Sequence, residues 1–248
     1  MILHIPHSSI NLFGISSLHL LESVDLMTDW YADELFYHDT SYDIVFDHSR
    51  LVVDVERFVN DDLEKHGKGF IYKTDVFDSP INRQGVSERE LYDKHHLYLS
   101  SIVTQYLNLF PITAIVDCHT FNDTPLPWEV AGDRPDICLG TDNLHTPPAL
   151  VDLLVDHFES SGLSVSINDP YSGTLIPKWF EGRDDVISIM IEVNKRIYLD
   201  DKYQKNSSFN AVKGIITKGL DIVDDYTEKA SEESWACLRQ DRKDFRSI

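Results

Sequence analysis

Several short apolar segments of this chain end in side chains that can bind a metal or move a proton. One segment leads into His7, another into Asp117 and His119, and a third carries Glu192 near its end. Two histidines and a carboxylate, with one position open for water, are the ligand set of hydrolytic zinc sites. A further carboxylate outside that set can take the proton from the water. The pattern is therefore compatible with metal-assisted hydrolysis.

A fourth apolar segment, 51–55, adds charged residues to this set. Asp54 and Glu56 are two residues apart, so in a β-strand their side chains would share one face. Arg50 precedes the segment and Arg57 follows it. Guanidinium groups suit the recognition of carboxylates, which makes these arginines candidates for contacts with an anionic substrate.

Each of these residues also has a structural interpretation. A histidine at a strand end is more often a hydrogen-bonded loop residue than a ligand, Asp117 could cap the following turn, and Glu192 could face solvent from an edge strand. The convergence of several ionisable groups at the ends of apolar strands argues for pairing or metal binding, because burying such groups alone is costly. The residue pattern by itself leaves both interpretations open.

The segments that must position these residues alternate between strand and helix patterns. Short β-rich runs predict strands at 2–6, 44–46, 51–53, 113–116, 137–139, 163–167 and 187–193. Apolar spacing predicts helices at 18–37 with a break near residue 25, at 88–109 after an N-cap at Ser87, at 148–160 and at 210–224. This alternation predicts an α/β layered domain with a mainly parallel sheet, whose polar groups gather beyond the carboxyl ends of the strands.

The 248 residues contain no linker, repeat or low-complexity stretch, so we expect a single domain over 1–248. The segment 60–86 is predicted to be an extended loop, and 228–248 a peripheral charged tail.

Composition excludes several classes of partner. There are 22 Lys and Arg against 42 Asp and Glu, a formal charge of −20, which disfavours binding to nucleic acid or to an anionic membrane. No apolar run approaches the ~20 residues of a membrane span. Cys118, Cys138 and Cys237 form no CxxC pair, and the N-terminus lacks a secretory pattern. We therefore expect reduced thiols and a cytoplasmic location.

Six sequence blocks together resemble the N-formylglutamate amidohydrolase family. They are PHSS at 6–9, SRLVVDVERF at 49–58, VDCHTF at 116–121, PDICLGT at 135–141, NDPYSGT at 168–174 and IEVNKRIYL at 191–199. That family hydrolyses an N-formyl amino acid to formate and the free amino acid, and its fold is similar to that of zinc carboxypeptidases and aspartoacylases. The resemblance implies a three-layer domain, a mainly parallel mixed sheet with helices on both faces, and one zinc ion per chain.

The resemblance also implies a role for individual residues. His7 and His119 match the two histidine ligands, Asp54 the carboxylate that orients the first of them, Arg57 the arginine that pairs with the substrate carboxylate, and Glu192 the catalytic glutamate.

Further positions around the site match with less definite roles. Arg50 is expected to bind a second substrate carboxylate or the oxyanion, and Asp117 to lie behind the ligands. The other matching positions, expected to contact the substrate, are Asn194, Arg196 and Tyr198.

The chain departs from the pattern of zinc carboxypeptidases at the third ligand. The position three residues after the first histidine is Ile10, which cannot bind a metal. Glu56 is the first choice for this ligand, and Asp29 or Asp33 the second. Glu56 also stands where amidohydrolases of this type often have Asn, so either it binds the metal or the substrate differs.

The predicted activity is zinc-dependent hydrolysis of an N-acyl amino acid, with N-formylglutamate as the first candidate substrate. A related acylase, a zinc peptidase and a non-catalytic binding protein on the same fold are the alternatives. A serine or cysteine hydrolase is disfavoured, because Cys118 should face away from His119 and Ser8 and Ser9 lack a nucleophile-elbow pattern.

Overall fold

The computed structural model of the protein describes residues 1–59, 62–85 and 87–245. The strands are β1 (Ile2–Ile5), β2 (Ile15–Ser16), β3 (Tyr42–Val45), β4 (Asn82–Arg83), β5 (Thr113–Phe121), β6 (Ile137–Gly140), β7 (Val165–Ile167) and β8 (Val186–Asn194). The α-helices are α1 (Leu20–Met27), α2 (Ala32–Leu35), α3 (Glu88–Leu109), α4 (Pro148–Ser160) and α5 (Phe209–Phe245). Short 3₁₀ helices cover Asp62–His66, Lys178–Phe180 and Lys195–Ile197.

The central sheet has six strands in the order β3-β1-β5-β8-β6-β7. All neighbouring pairs are parallel except β6 and β8, which are antiparallel. Residues of α2, α4 and α5 pack on one face of the sheet, and residues of α3 pack on the other. The predicted α/β class, with a mainly parallel mixed sheet between two helical layers, is confirmed.

The alternation along β5 separates the core from the polar site. Ala114, Val116 and Cys118 point into the apolar layer under α4 and α5. Ile115 points into the layer under α3, and Asp117 and His119 continue that same face towards the carboxyl end of the strand. The strand therefore carries apolar residues at its start and ionisable residues at its end.

The predicted strand at 51–53 is wrong, because this segment forms turns. The backbone N–H of Val52 donates to Ser49 at 2.8 Å, and the guanidinium of Arg83 donates to the carbonyls of Leu51 and Val52 at 3.1 and 2.7 Å. These polar groups are thus satisfied without a neighbouring strand. The apolar composition reflects complete burial of residues 51–53 instead.

Other differences from the predicted elements concern the ends of helices and the predicted loop at 60–86. The helical pattern at 18–37 is interrupted at 28–31 rather than near residue 25, and Ser87 precedes α3 without a side-chain capping bond. Within 60–86 the described part includes a 3₁₀ helix and β4, and residues 60, 61 and 86 lie outside it. Helix α5 runs on through most of the predicted tail. Residues 246–248 and the side chain of Cys237 lie outside the description. Among the described helices none is long and apolar enough to cross a membrane.

Candidate metal centre and active site

Two histidine rings and one carboxylate meet beyond the carboxyl edge of the sheet. His7 follows β1, His119 lies near the end of β5, and Asp29 lies between α1 and α2, where its N–H donates to the carbonyl of His7 at 3.0 Å. The Nδ1 atoms of His7 and His119 are 3.2 Å apart. The Oδ2 atom of Asp29 lies 3.2 Å from the Nδ1 of His119 and 3.7 Å from the Nδ1 of His7. All three side chains are buried. Their atoms surround one common point.

A carboxylate stands behind each histidine. The Nε2 of His7 lies 2.9 Å from Oδ1 of Asp54, and the Nε2 of His119 lies 3.1 Å from Oδ1 of Asp117. Carboxylates only accept, so each Nε2 carries the proton and the Nδ1 of a neutral ring is left as a lone pair. This is the arrangement that fixes the tautomer and orientation of a metal-binding histidine.

The donor set fits a small divalent cation. With both rings neutral, two Nδ1 lone pairs and an oxygen of Asp29 would face one another, so a positive charge is needed where they meet. Without a metal a proton meets this need: burial would lower the pKa of His119, but Asp117 and Asp29 raise it well above its usual range. Separations of 3.2–3.7 Å match the roughly 3.3–3.6 Å edges of a tetrahedron with metal–ligand bonds of about 2.0–2.2 Å. Burial would raise the pKa of Asp29, but the adjacent imidazoles of His119 and His7 hold it well below its usual range. Asp29 is therefore ionised.

Asp54 is held as an anion by the groups around it. Its Oδ2 accepts from Arg50 at 2.8 and 3.1 Å and from the hydroxyl of Tyr72 at 2.8 Å, and the Nε of Arg57 lies 3.9 Å away. Burial would raise the pKa of Asp54, yet Arg50 and His7 keep it well below its usual range. The arginines therefore stabilise the carboxylate that orients the first histidine.

Glu56, the first choice for the third ligand, lies on the other side of the His119 ring. Its Oε2 is 3.9 Å from the Nε2 of His119, and its Oε1 is 3.0 Å from the Nδ1 of His4. An oxygen beside Nε2 is at the wrong edge of the imidazole to share an ion with the two Nδ1 atoms. The structure brings Asp29, the second choice, to that point and leaves Asp33 exposed on α2. Glu56 differs from expectation because 51–56 is not a strand.

A row of buried side chains extends the site towards α3. The Nδ1 of His4 lies 3.0 Å from Oδ1 of Asp117, and its Nε2 lies 2.7 Å from the Nε2 of His95. Burial would lower the pKa of His4, but hydrogen bonds to Asp117 and Glu56 raise it to about 9. Burial and the neighbouring His4 lower the pKa of His95 to about 2, so His95 accepts as a neutral ring. This row fixes Asp117 behind His119.

Glu192 stands beside the cluster without belonging to it. It pairs in register with His119 across β5 and β8, so both side chains lie on the same face of the sheet. Its Oε2 is buried and has no hydrogen-bond partner among the described residues. Burial raises the pKa of Glu192 to about 8, although His119 opposes the shift. The carboxyl group can therefore exchange a proton with a molecule in the cavity.

The cluster lies in a cavity of about 440 Å³, a size typical of small-molecule sites. One part of the wall is apolar, with Leu26, Met27, Phe58, Leu126 and Trp128. The turn 170–175 forms another part, and the cationic side chains that line the cavity are Arg50, Arg57 and Lys195. Five acidic residues line the same cavity (Asp29, Glu56, Asp117, Glu129 and Glu192), so binding of an anionic ligand would depend on direct contact with these three cations.

Three residues expected to contact the substrate lie away from this cavity. The hydroxyl of Tyr198 donates to the carbonyl of Trp30 at 2.9 Å, within the core. The side chain of Asn194 donates to Asp123 at 3.1 Å and accepts from the N–H of Arg196 at 3.1 Å. Arg196 forms an ion pair with Asp123 and lines a neighbouring groove. These contacts within the chain stabilise the turn after β8.

Sequence reasoning assigned no role to His4 or Lys195 and did not single out the loop that carries Trp128. The position of His4 inside an otherwise apolar strand could have indicated a paired residue, because a buried ionisable group needs a partner. The position of Lys195 directly after β8 could have indicated a residue near the carboxyl edge of the sheet. Nothing in the local sequence indicates that Trp128 folds over the cavity.

The fold and the cluster define a three-layer α/β protein with a buried histidine–carboxylate centre at the carboxyl edge of its sheet. A model of the N-formylglutamate amidohydrolase family matches residues 1–199, which include the whole cluster and the cavity wall. The chain belongs to the N-formylglutamate amidohydrolase family.

The solved structures that are similar to this chain include the following two. The crystal structure of an N-formylglutamate amidohydrolase from Ralstonia eutropha JMP134 has 19% identity, covers 92% of this chain and 94% of that chain, and gives a TM-score of 0.77. The crystal structure of a gene product from Agrobacterium tumefaciens has 17% identity, with 90% and 91% covered and a TM-score of 0.56. No curated protein matches the sequence. At these identities the likeness establishes the fold alone.

Proposed function

We propose that this protein is a zinc-dependent amidohydrolase that hydrolyses an N-acyl amino acid to the carboxylic acid of the acyl group and the free amino acid. The first candidate substrate is N-formylglutamate. The observation that carries the proposal is the convergence of His7, Asp29 and His119 beside Glu192 in a chain of this family. The free buried thiols of Cys118 and Cys138 are typical of a reducing compartment, which supports a cytoplasmic location.

His7, Asp29 and His119 would hold the zinc ion, with Asp54 and Asp117 orienting the two imidazoles. When bound, zinc supplies Lewis acidity that polarises the acyl carbonyl and lowers the pKa of water towards about 7. The imidazole nitrogens and the carboxylate oxygen, with separations close to tetrahedral edges, support zinc as the metal.

Glu192 is the proton carrier in this proposal. It lines the cavity, lies beside His119 and has an oxygen with no partner in the described structure. It accepts the proton of the attacking water as the new C–O bond forms, and it delivers that proton to the amine nitrogen as the C–N bond breaks. The products are then formate and the amino acid.

The arginines position the substrate. Arg57 lines the cavity and is assigned to the α-carboxylate, a contact that contributes orientation rather than chemistry. Arg50 uses Nε and Nη2 to hold Asp54, which leaves Nη1 for the oxyanion that develops on the acyl group.

A formate-release assay on N-formylglutamate tests the proposal, with wild type beside Glu192→Gln. The amide keeps the shape of the carboxyl group but cannot accept the proton, so we expect turnover to fall by about 10²- to 10⁴-fold while zinc content stays the same. Near-normal turnover in the variant would remove Glu192 from the mechanism.

The apolar part of the wall favours a second candidate, an acylase for a larger N-acyl amino acid. Met27, Leu126 and Trp128 offer apolar contact area that a formyl group does not fill. Comparing N-formylglutamate with N-acetyl- and N-benzoylglutamate in the same assay decides between them, because a site built for the larger group should prefer the benzoyl compound.

A further inference from the structure

Lys195 is a buried cation in the wall of the cavity. It is the first residue of the 3₁₀ helix that follows β8, three residues after Glu192, and only 5% of its surface is exposed. It lines the same cavity as the histidine–carboxylate cluster. An ammonium group in this position is costly unless an anion or several acceptors compensate for the lost water.

The contacts of Lys195 within the chain are neutral. Its Nζ donates to Oδ1 of Asn122 at 3.0 Å and reaches the carbonyl of Leu26 at 3.4 Å. Within the part of the chain that the structure describes, it forms no ion pair with a carboxylate. An ammonium group has three donors, and these contacts use two of them. Burial lowers the pKa of Lys195 to about 8, although the nearby carboxylate of Asp29 opposes the shift.

The other cations around the site are engaged with carboxylates. Arg134 pairs with Glu129 at 2.8 Å, Arg196 pairs with Asp123, and Arg50 holds Asp54 through two hydrogen bonds. Lys195 differs from these arginines because its buried ammonium lines the cavity and, among the described residues, contacts only neutral groups: Asn122, the carbonyl of Leu26 and, at 5.9 Å, the ring of Tyr203.

We propose that Lys195 is the specificity-determining residue that binds the side-chain carboxylate of the substrate and distinguishes it from the neutral amide. The inference rests on the proposed function and assigns one residue of this chain to substrate selection. Arg57 and Lys195 would then bind the two carboxylates of one dicarboxylic amino acid. A charge-assisted hydrogen bond in a buried site suffices for discrimination of roughly tenfold to a hundredfold against the neutral amide.

The test is calorimetric binding of L-glutamate and L-glutamine, the first of which is the proposed product. The two differ only in the side-chain carboxylate, so their affinity ratio isolates its recognition. We expect zinc-supplemented wild type to prefer glutamate by at least tenfold, and Lys195→Met to bind both about equally. Lys195→Gln serves as a second neutral variant, and Lys202→Met, which removes an exposed lysine outside the cavity, should keep the wild-type ratio.

The ratio distinguishes recognition from a general electrostatic role. If Lys195 only stabilised the nearby anions Asp29 and Glu192, its loss would weaken both ligands alike and leave the preference unchanged, which would overturn the inference. Wild type without a preference for glutamate would overturn it as well. Formate release is measured in parallel: a preference that depends on Lys195 without formate release would overturn the proposed reaction and leave this inference standing.

Discussion

Each of the two proposed ligand histidines is oriented by a carboxylate that the metal would not touch. Asp54 and Asp117 decide which nitrogen of His7 and His119 faces the centre, and the charges around these carboxylates keep them ionised. At the residue scale the affinity for metal therefore depends on side chains behind the ligands as much as on the ligands.

Asp117→Asn tests this dependence. Oδ1 of Asp117 lies 3.1 Å from the Nε2 of His119 and 3.0 Å from the Nδ1 of His4, and an amide cannot accept from both with the same strength. We expect the dissociation constant for zinc to rise by about 10- to 100-fold in a chelator competition assay. Asp47→Asn, on an exposed aspartate, should bind zinc as wild type does. Unchanged affinity in Asp117→Asn would show that the tautomer is fixed in another way.

The sequence was sufficient to predict that His7, His119 and Glu192 end neighbouring apolar strands. It was not sufficient to rank Glu56 against Asp29. That choice depends on where a side chain points, and the path of 51–56 is decided by Arg83, which lies more than 25 residues further along the chain. Asp29 is positioned by a hydrogen bond from its N–H to the carbonyl of His7, a contact with no local signal.

At the scale of elements, most of the sheet could be predicted from composition. Residues 113–121 and 186–194 are buried on both faces, and long apolar β-rich runs are what such strands require. The segment 51–55 has a similar composition because it is equally buried, and burial rather than strand geometry is what composition reports. Backbone partners supplied by distant side chains are not visible in such a pattern.

The turn 170–175 forms a cavity wall because β6 ends in a glycine. A Cβ added at Gly140 would meet the backbone oxygen of Gly173 at 2.2 Å, so Gly140→Ala must push this wall away. We expect the variant to remain folded in circular dichroism but to have a raised KM in the formate assay.

Gly214→Ala is the matched control for that substitution. Nothing lies within 4 Å of a Cβ added there, and the position is inside α5, where Ala is favoured over Gly by roughly 0.5–1 kcal/mol. It should keep the wild-type KM. If Gly140→Ala also kept it, the turn would have no part in substrate binding.

Helix α3 contributes to stability through its buried face. Leu99 is fully buried in the layer between α3 and the sheet, and Leu97 on the same helix is 64% exposed. Leu99→Ala should lower the free energy of unfolding by about 2–5 kcal/mol, and Leu97→Ala should change it by only about 0.5 kcal/mol. Urea denaturation measures both, and equal effects would contradict the described packing of α3.

For the whole molecule, the net charge of −20 opposes compactness. Raising NaCl from about 0.01 M to about 0.1 M shortens the screening length from about 30 to 10 Å and weakens repulsion among the acidic side chains. We therefore expect the melting temperature to rise by a few degrees in differential scanning fluorimetry. A fall over this range would mean that specific ion pairs outweigh the general repulsion.

We propose above all that His7, Asp29 and His119 form one metal centre. The most direct test is the zinc content of purified protein after incubation with zinc, measured by mass spectrometry for wild type, His119→Ala, Asp29→Ala and Glu56→Gln. We expect about one zinc per chain in wild type and in Glu56→Gln, and loss of zinc in the other two variants. Wild type without zinc, or loss of zinc in Glu56→Gln but not in Asp29→Ala, would contradict it.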